Sequence, residues 1–176
     1  MLLLSLATLA AACAAPAAAP TATAAFDIDT SRAPSPPLSM LLDSFGSSHG
    51  ATTLRATWRK HFLQTLHDVP FRRVRFHGIL DDDMSAYMGG RFSGGLIFDT
   101  LDFFVAHGIA PTVELSYMPA GLALNASAFY RHYGGIRSTF ASAPAWRAFI
   151  TDLVTQLIAR YGAATIRQWR FEVWNE

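Results

Sequence analysis

Apolar positions along this chain recur in two rhythms. Leu54, Trp58, Phe62 and Leu66 stand at helical spacing, as do Ile97, Leu101, Phe104 and Val105. Trp146, Phe149, Ile150, Leu153, Val154, Leu157, Ile158 and Tyr161 keep the same stripe through about four turns. Elsewhere the period is two. Val74 and Phe76 alternate with Arg75 and His77; Val113 and Leu115 alternate with Thr112, Glu114 and Ser116. Phe171 and Val173 are set against Arg170, Glu172, Trp174 and Glu176. Together these rhythms predict a first strand from Leu38 to Phe45 running into a small-residue loop, Gly46 to Gly50. A helix from Leu54 to about His67 follows, capped by Thr53, and then a strand from Arg72 to Phe76. A second helix ends at Gly108, a third strand spans Ile109 to Ser116, a third helix runs from just after Pro144 to Gly162, and a fourth strand covers Ile166 to Glu176.

Strands alternating with helices imply a parallel α/β sheet with right-handed crossovers. A doubly wound sheet, covered on both faces, favours continuous apolar runs. Strands with one apolar and one charged face suit a barrel, whose outer face packs on helices and whose inner face rises into a polar mouth. Inward charges must be paired, because a lone buried ion costs several kcal/mol. Arg75, Glu114 and Glu172 are therefore expected to form an interior ion-pair network.

The net charge is +1, with no basic excess to mark a nucleic-acid partner. Residues 1–25 form an Ala/Leu stretch without a charge, broken by Pro16 and Pro20, which reads as a secretory signal peptide rather than a membrane span. Residues 26–37 read as an extended linker, and residues 38–176 as the α/β domain that holds the strands and helices. The single cysteine, Cys13, falls inside the signal, so no disulfide is expected in the mature chain. Asn125-Ala126-Ser127 is a glycosylation sequon. Asp81-Asp82-Asp83 reads as a solvated turn or local caps, and no His/Cys spacing fits zinc; neither a metal nor a cofactor is expected. No Gly-rich phosphate loop follows the first strand.

The chemistry-bearing feature is the tail, Phe171-Glu172-Val173-Trp174-Asn175-Glu176, which sets an amide and a carboxylate at the C-terminal tip of a strand. In glycoside hydrolysis a carboxylic acid protonates the departing oxygen, while a neighbouring amide can hold a sugar hydroxyl. Glu176 and Asn175 suit those roles. His77, in step with Arg75, is either a structural histidine or a substrate contact. His49, in the loop after the first strand, either faces the mouth or is solvated. Tyr117 and Trp174, near strand ends, can wall a sugar pocket, since aromatic faces pack on pyranose rings.

Arg75-Phe76-His77-Gly78-Ile79-Leu80 with Asp82-Asp83, Val113-Glu114-Leu115-Ser116-Tyr117-Met118-Pro119 and the tail together resemble glycoside hydrolase family 39, which contains β-xylosidases and α-L-iduronidases. The resemblance runs from about Gly46 to Glu176. It implies a (β/α)8 TIM barrel that cleaves glycosides with retention, with Glu176 as general acid/base, Asn175 holding the hydroxyl beside the anomeric carbon and His77 binding substrate. The family's nucleophilic glutamate belongs to the seventh strand. A full barrel needs about 250 residues, so the chain is expected to be the N-terminal half, strands one to four, truncated after the fourth and inactive alone. The His77 motif is closer to the β-xylosidase type; an α-L-iduronidase-like hydrolase or a non-catalytic carbohydrate-binding barrel are the alternatives. The implied partner is an oligosaccharide or glycoside. The signal peptide implies secretion or an endomembrane or lysosomal lumen, and oligomeric state is left open.

Overall fold

The computed structural model describes residues 29, 31, 43–130 and 134–174. The chain divides into Met1–Pro34 and Ser35–Glu176. In the first unit, Ser31 donates to the Asp29 carboxylate through both its backbone N–H and its hydroxyl, at 3.0 and 2.6 Å. The signal and the linker otherwise lie outside the described residues, as do Leu38 to Leu42, Asn175 and Glu176.

The second unit contains β1 (Ser44–His49), a helical turn (Gly50–Leu54), α1 (Ala56–Asp68) and β2 (Arg73–His77). A short turn (Asp82–Met84) leads into a hairpin of β3 (Tyr87–Met88) and β4 (Arg91–Phe92), followed by α2 (Gly95–Ala106) and β5 (Ala110–Glu114). A long connection then reaches α3 (Ala143–Tyr161), α4 (Ala163–Ile166) and β6 (Arg170–Glu172). The sheet has four parallel strands in the order β1-β2-β5-β6. Among the described residues no helix is long and apolar enough to cross a membrane.

The helices follow the apolar stripes. Phe149, Leu153 and Leu157 of α3 are buried, each contributing about 1.5–3 kcal/mol by leaving water. Ser142 caps α3 by accepting from the Ala145 N–H, Pro144 sits in the first turn where its missing donor costs nothing, and Gly162, at a φ of 81°, ends the helix. Between the sheet and helices α1 and α2 lies an aromatic cluster centred on Phe62, whose ring is 4.9 to 6.1 Å from those of Trp58, Phe71, Phe104, Phe103 and Phe45. Val74, Phe76 and Val113 turn toward this side and are buried.

Three boundaries differ from the sequence reading. Strand β1 covers Ser44–His49 and includes the supposed loop, because pairing with β2 (Ser44 with Arg73, Gly46 with Arg75, His49 with His77) overrides the weak strand propensity of glycine and serine. Thr53 does not cap α1. Its hydroxyl donates back to the Gly50 carbonyl and meets the Thr100 hydroxyl at 2.8 Å, joining the turn to α2. The helix begins instead after Arg55, without a side-chain cap. Finally, Ile166 belongs to α4 rather than the fourth strand, which starts only at Arg170. The hairpin and α4 had no periodic signal, being only a few residues long.

Candidate functional site at the strand tips

The C-terminal ends of β1, β2, β5 and β6 carry His49, His77, Glu114 and Glu172, all at one end of the sheet because the strands are parallel. Glu114 is fully buried. Arg75 Nη2 lies 3.0 Å from its Oε2 and His77 Nδ1 2.9 Å from the same oxygen, while the Ser116 hydroxyl donates to Oε1. Arg75 also forms a bidentate pair with Glu172 across the sheet, Nε to Oε2 and Nη2 to Oε1, both at 2.8 Å. The guanidinium fork matches the two carboxylate oxygens, which fixes both side chains as well as pairing their charges. Arg75 donating to it holds the Glu172 carboxyl below its ordinary range, against a smaller opposing effect of burial. Thus Arg75, Glu114, Glu172 and His77 make one connected network on the polar face of the sheet.

His49 belongs to a second group. Its position at the end of β1 is buried, so it is not a solvated loop residue. Nε2 lies 3.1 Å from Asp81 and Nδ1 3.4 Å from Asp83, and the ring stacks near Tyr117 with centroids 6.5 Å apart. Burial pushes its pKa down, but the hydrogen bond to Asp81 and the charges of Asp83, Asp81 and Glu114 outweigh it. The imidazole therefore titrates above its ordinary 6.5. Burial also raises the Asp83 carboxyl, with His49 opposing. Gly78, at a φ of 68°, lets β2 end against this ring: a Cβ there would stand 2.3 Å from His49 Nε2. Asp81 does cap the short turn after β2, accepting from the Asp82 N–H, but it is buried rather than solvated. His49, Asp81 and Asp83 offer one nitrogen and two oxygens all within 4.8 Å, and could hold a cation. The existing pairing, with one ring nitrogen facing each carboxylate, already satisfies the same atoms.

Beyond β5 the chain folds over these tips. Tyr117 is buried and stacks near Tyr130 at 6.2 Å. Gly135 passes so close to the Tyr117 ring that a Cβ would fall 2.0 Å from it. Trp174, just past β6, lines a cavity of about 530 Å³ with Met118, Arg137, Phe140 and Trp146. The strand tips thus bring together Arg75, His77, Glu114 and Glu172, with His49 and Tyr117 in an adjoining group and Trp174 at the cavity. Asn175 and Glu176 follow Trp174 immediately in sequence. The sequence assigns no site role to Ser116 or Arg137, and reads Asp81 and Asp83 as turn residues rather than as partners of His49. Ser116 shares the inward parity of Glu114 and was open to detection by it. The other three lie on irregular backbone, which carries no period.

Known proteins resemble this chain over most of its described length. A β-xylosidase from Caldicellulosiruptor saccharolyticus is 39% identical over 136 residues, which are 74% of this chain and 28% of that protein. A β-xylosidase from Geobacillus stearothermophilus is 29% identical over 139 residues, 74% of this chain and 27% of that protein. The crystal structure of a monomeric β-xylosidase from Caulobacter crescentus CB15 superposes with a TM-score of 0.70 at 31% identity, covering 76% of this chain and 28% of that one. The chain therefore spans a little over a quarter of the length of the curated relatives it matches. Its parallel strands and crossovers are the N-terminal part of a (β/α)8 barrel. The family model matches residues 25–176, a stretch that includes the whole parallel sheet and the charged groups at its tips, and the chain belongs to the glycosyl hydrolases family 39.

Proposed function

We propose that this chain supplies the acid side of a retaining glycoside hydrolase acting on β-xylosides. The observation that carries the reading is the Glu114-centred network. A buried carboxylate is held by Arg75, His77 and Ser116, and Arg75 is clamped in turn to Glu172, four residues before Glu176 on the strand that leads to it. Pre-set polar groups at parallel strand tips are what a barrel active site requires. The curated relatives from Caldicellulosiruptor saccharolyticus and Geobacillus stearothermophilus are both named β-xylosidases, which favours that substrate class.

In this reading Glu176 is protonated at rest and gives its proton to the glycosidic oxygen as the bond from that oxygen to the anomeric carbon breaks. A second carboxylate, from another strand of the barrel, forms the new bond to the same carbon. Water then adds there, yielding its proton to Glu176 and releasing the carboxylate, so the configuration is inverted twice and retained. Asn175 holds the hydroxyl beside the reacting carbon. His77, oriented through Nδ1 by Glu114, and His49, with Tyr117 and Trp174, contact the sugar. Proton NMR of 4-nitrophenyl β-xyloside hydrolysis by the protein carrying all eight strands tests the reading. β-Xylose is expected as the first anomer; α-xylose first, or no hydrolysis, contradicts it.

A further inference from the structure

We infer that the cavity beside Trp174 is the leaving-group subsite and that Arg137 makes it select a sugar bearing a carboxylate. This rests on the glycosidase reading and adds the chemistry of the group released. The proton donor of a glycosidase acts on the oxygen that joins the two sugars, so the departing sugar must lie beside the donor. Trp174, which lines the cavity, lies two residues before Glu176 in the sequence.

Its walls suit a sugar. Phe140 and Trp146 stand nearly parallel, 14° apart with centroids at 6.2 Å, forming an aromatic surface of the kind that packs on pyranose faces. The volume of about 530 Å³ falls within the usual range of small-ligand sites. The segment carrying these residues is fixed by its backbone: Arg137 N–H donates to the Ala128 carbonyl at 2.9 Å, Leu124 N–H to Thr139 at 2.8 Å and Ala141 N–H to Leu122 at 2.8 Å. Arg137 takes part in none of the ion pairs among the described residues. Arg137 is an exposed residue lining this aromatic-walled cavity, and a guanidinium fork matches the planar carboxylate of a uronic acid.

The test compares β-xylosyl glucuronate with its methyl ester, which removes that charge and adds one methyl group, using the protein with the complete barrel. Arg137→Gln is expected to lower kcat/KM for the uronate about tenfold or more and to leave the ester within about twofold. Phe140→Ala should lower both alike. Equal effects of Arg137→Gln on the uronate and the ester, or no effect on either, overturn the inference. So does a wild type that cleaves aryl xylosides but neither disaccharide. A wild type that cleaves no xyloside at all sinks the glycosidase reading instead.

Discussion

At the scale of single residues, the two histidines at adjoining strand tips are held in different ways. His77 presents one nitrogen to Glu114, which receives Arg75 on the same oxygen, whereas His49 lies between two carboxylates. The pairing of Arg75, Glu114 and Glu172 could be read from strand parity, because charges sharing one face of a sheet must neutralise one another. The surroundings of His49 could not, since Asp81 and Asp83 reach it from irregular backbone. Its raised pKa gives a signed prediction. A basic group favoured in its charged form by the fold contributes stability fully below 6.5, and that contribution fades as pH rises through the higher folded value. Asp81, Asp83 and Glu114 are the charged groups that set it. His49→Asn should therefore cost about 1.5–3 kcal/mol at acid pH and clearly less at alkaline pH, measured by urea denaturation at both. An equal cost at the two pH values would contradict this account of the pair.

At the scale of elements, helices were more legible than strands. The stripe on α3 and the glycine that ends it sufficed to place that helix, since every turn repeats the same burial. Strand β1 runs past the expected end at Phe45 because its extension comes from pairing with β2 and not from its own Gly-Ser-Ser sequence. Strand β6 was drawn too long because a four-residue helix holds too little pattern to be separated from a strand. Phe171 and Val173, the apolar positions after β5 that continue this parity, are 39% and 78% exposed. The opposite end of the packing scale is Phe62, 3% exposed and in contact with rings from β1, α1, α2 and the segment before β2. Phe62→Ala should cost about 3–5 kcal/mol through lost burial and an unfilled cavity. Leu63→Ala, one residue along but 36% exposed, should cost far less. Comparable shifts in denaturation midpoint for the two would show that the Phe62 cluster is not the centre of this core.

At the scale of the molecule, a four-stranded parallel sheet gathers its polar side chains at one end, and the strand that donates Glu172 to the network leads within four residues to Glu176. Barrel architecture was legible because the charged face had to enclose something, whereas a doubly wound sheet would have shown apolar residues on both faces. The long excursion between β5 and α3, with its aromatic wall and Arg137, was not legible, as its order comes from scattered backbone pairs such as Ala123 with Phe140 and Phe129 with Ile136. The proton-donor role proposed for Glu176 is read from the dependence of hydrolysis rate on leaving-group acidity for Glu176→Gln in the complete enzyme. A donor matters most when the departing oxygen is a poor leaving group, so the variant should lose about 100-fold or more on alkyl and sugar xylosides. On 2,4-dinitrophenyl β-xyloside, whose departure needs no proton, bond cleavage should be nearly unchanged. Equal loss of that first step across both kinds of substrate would contradict the assignment.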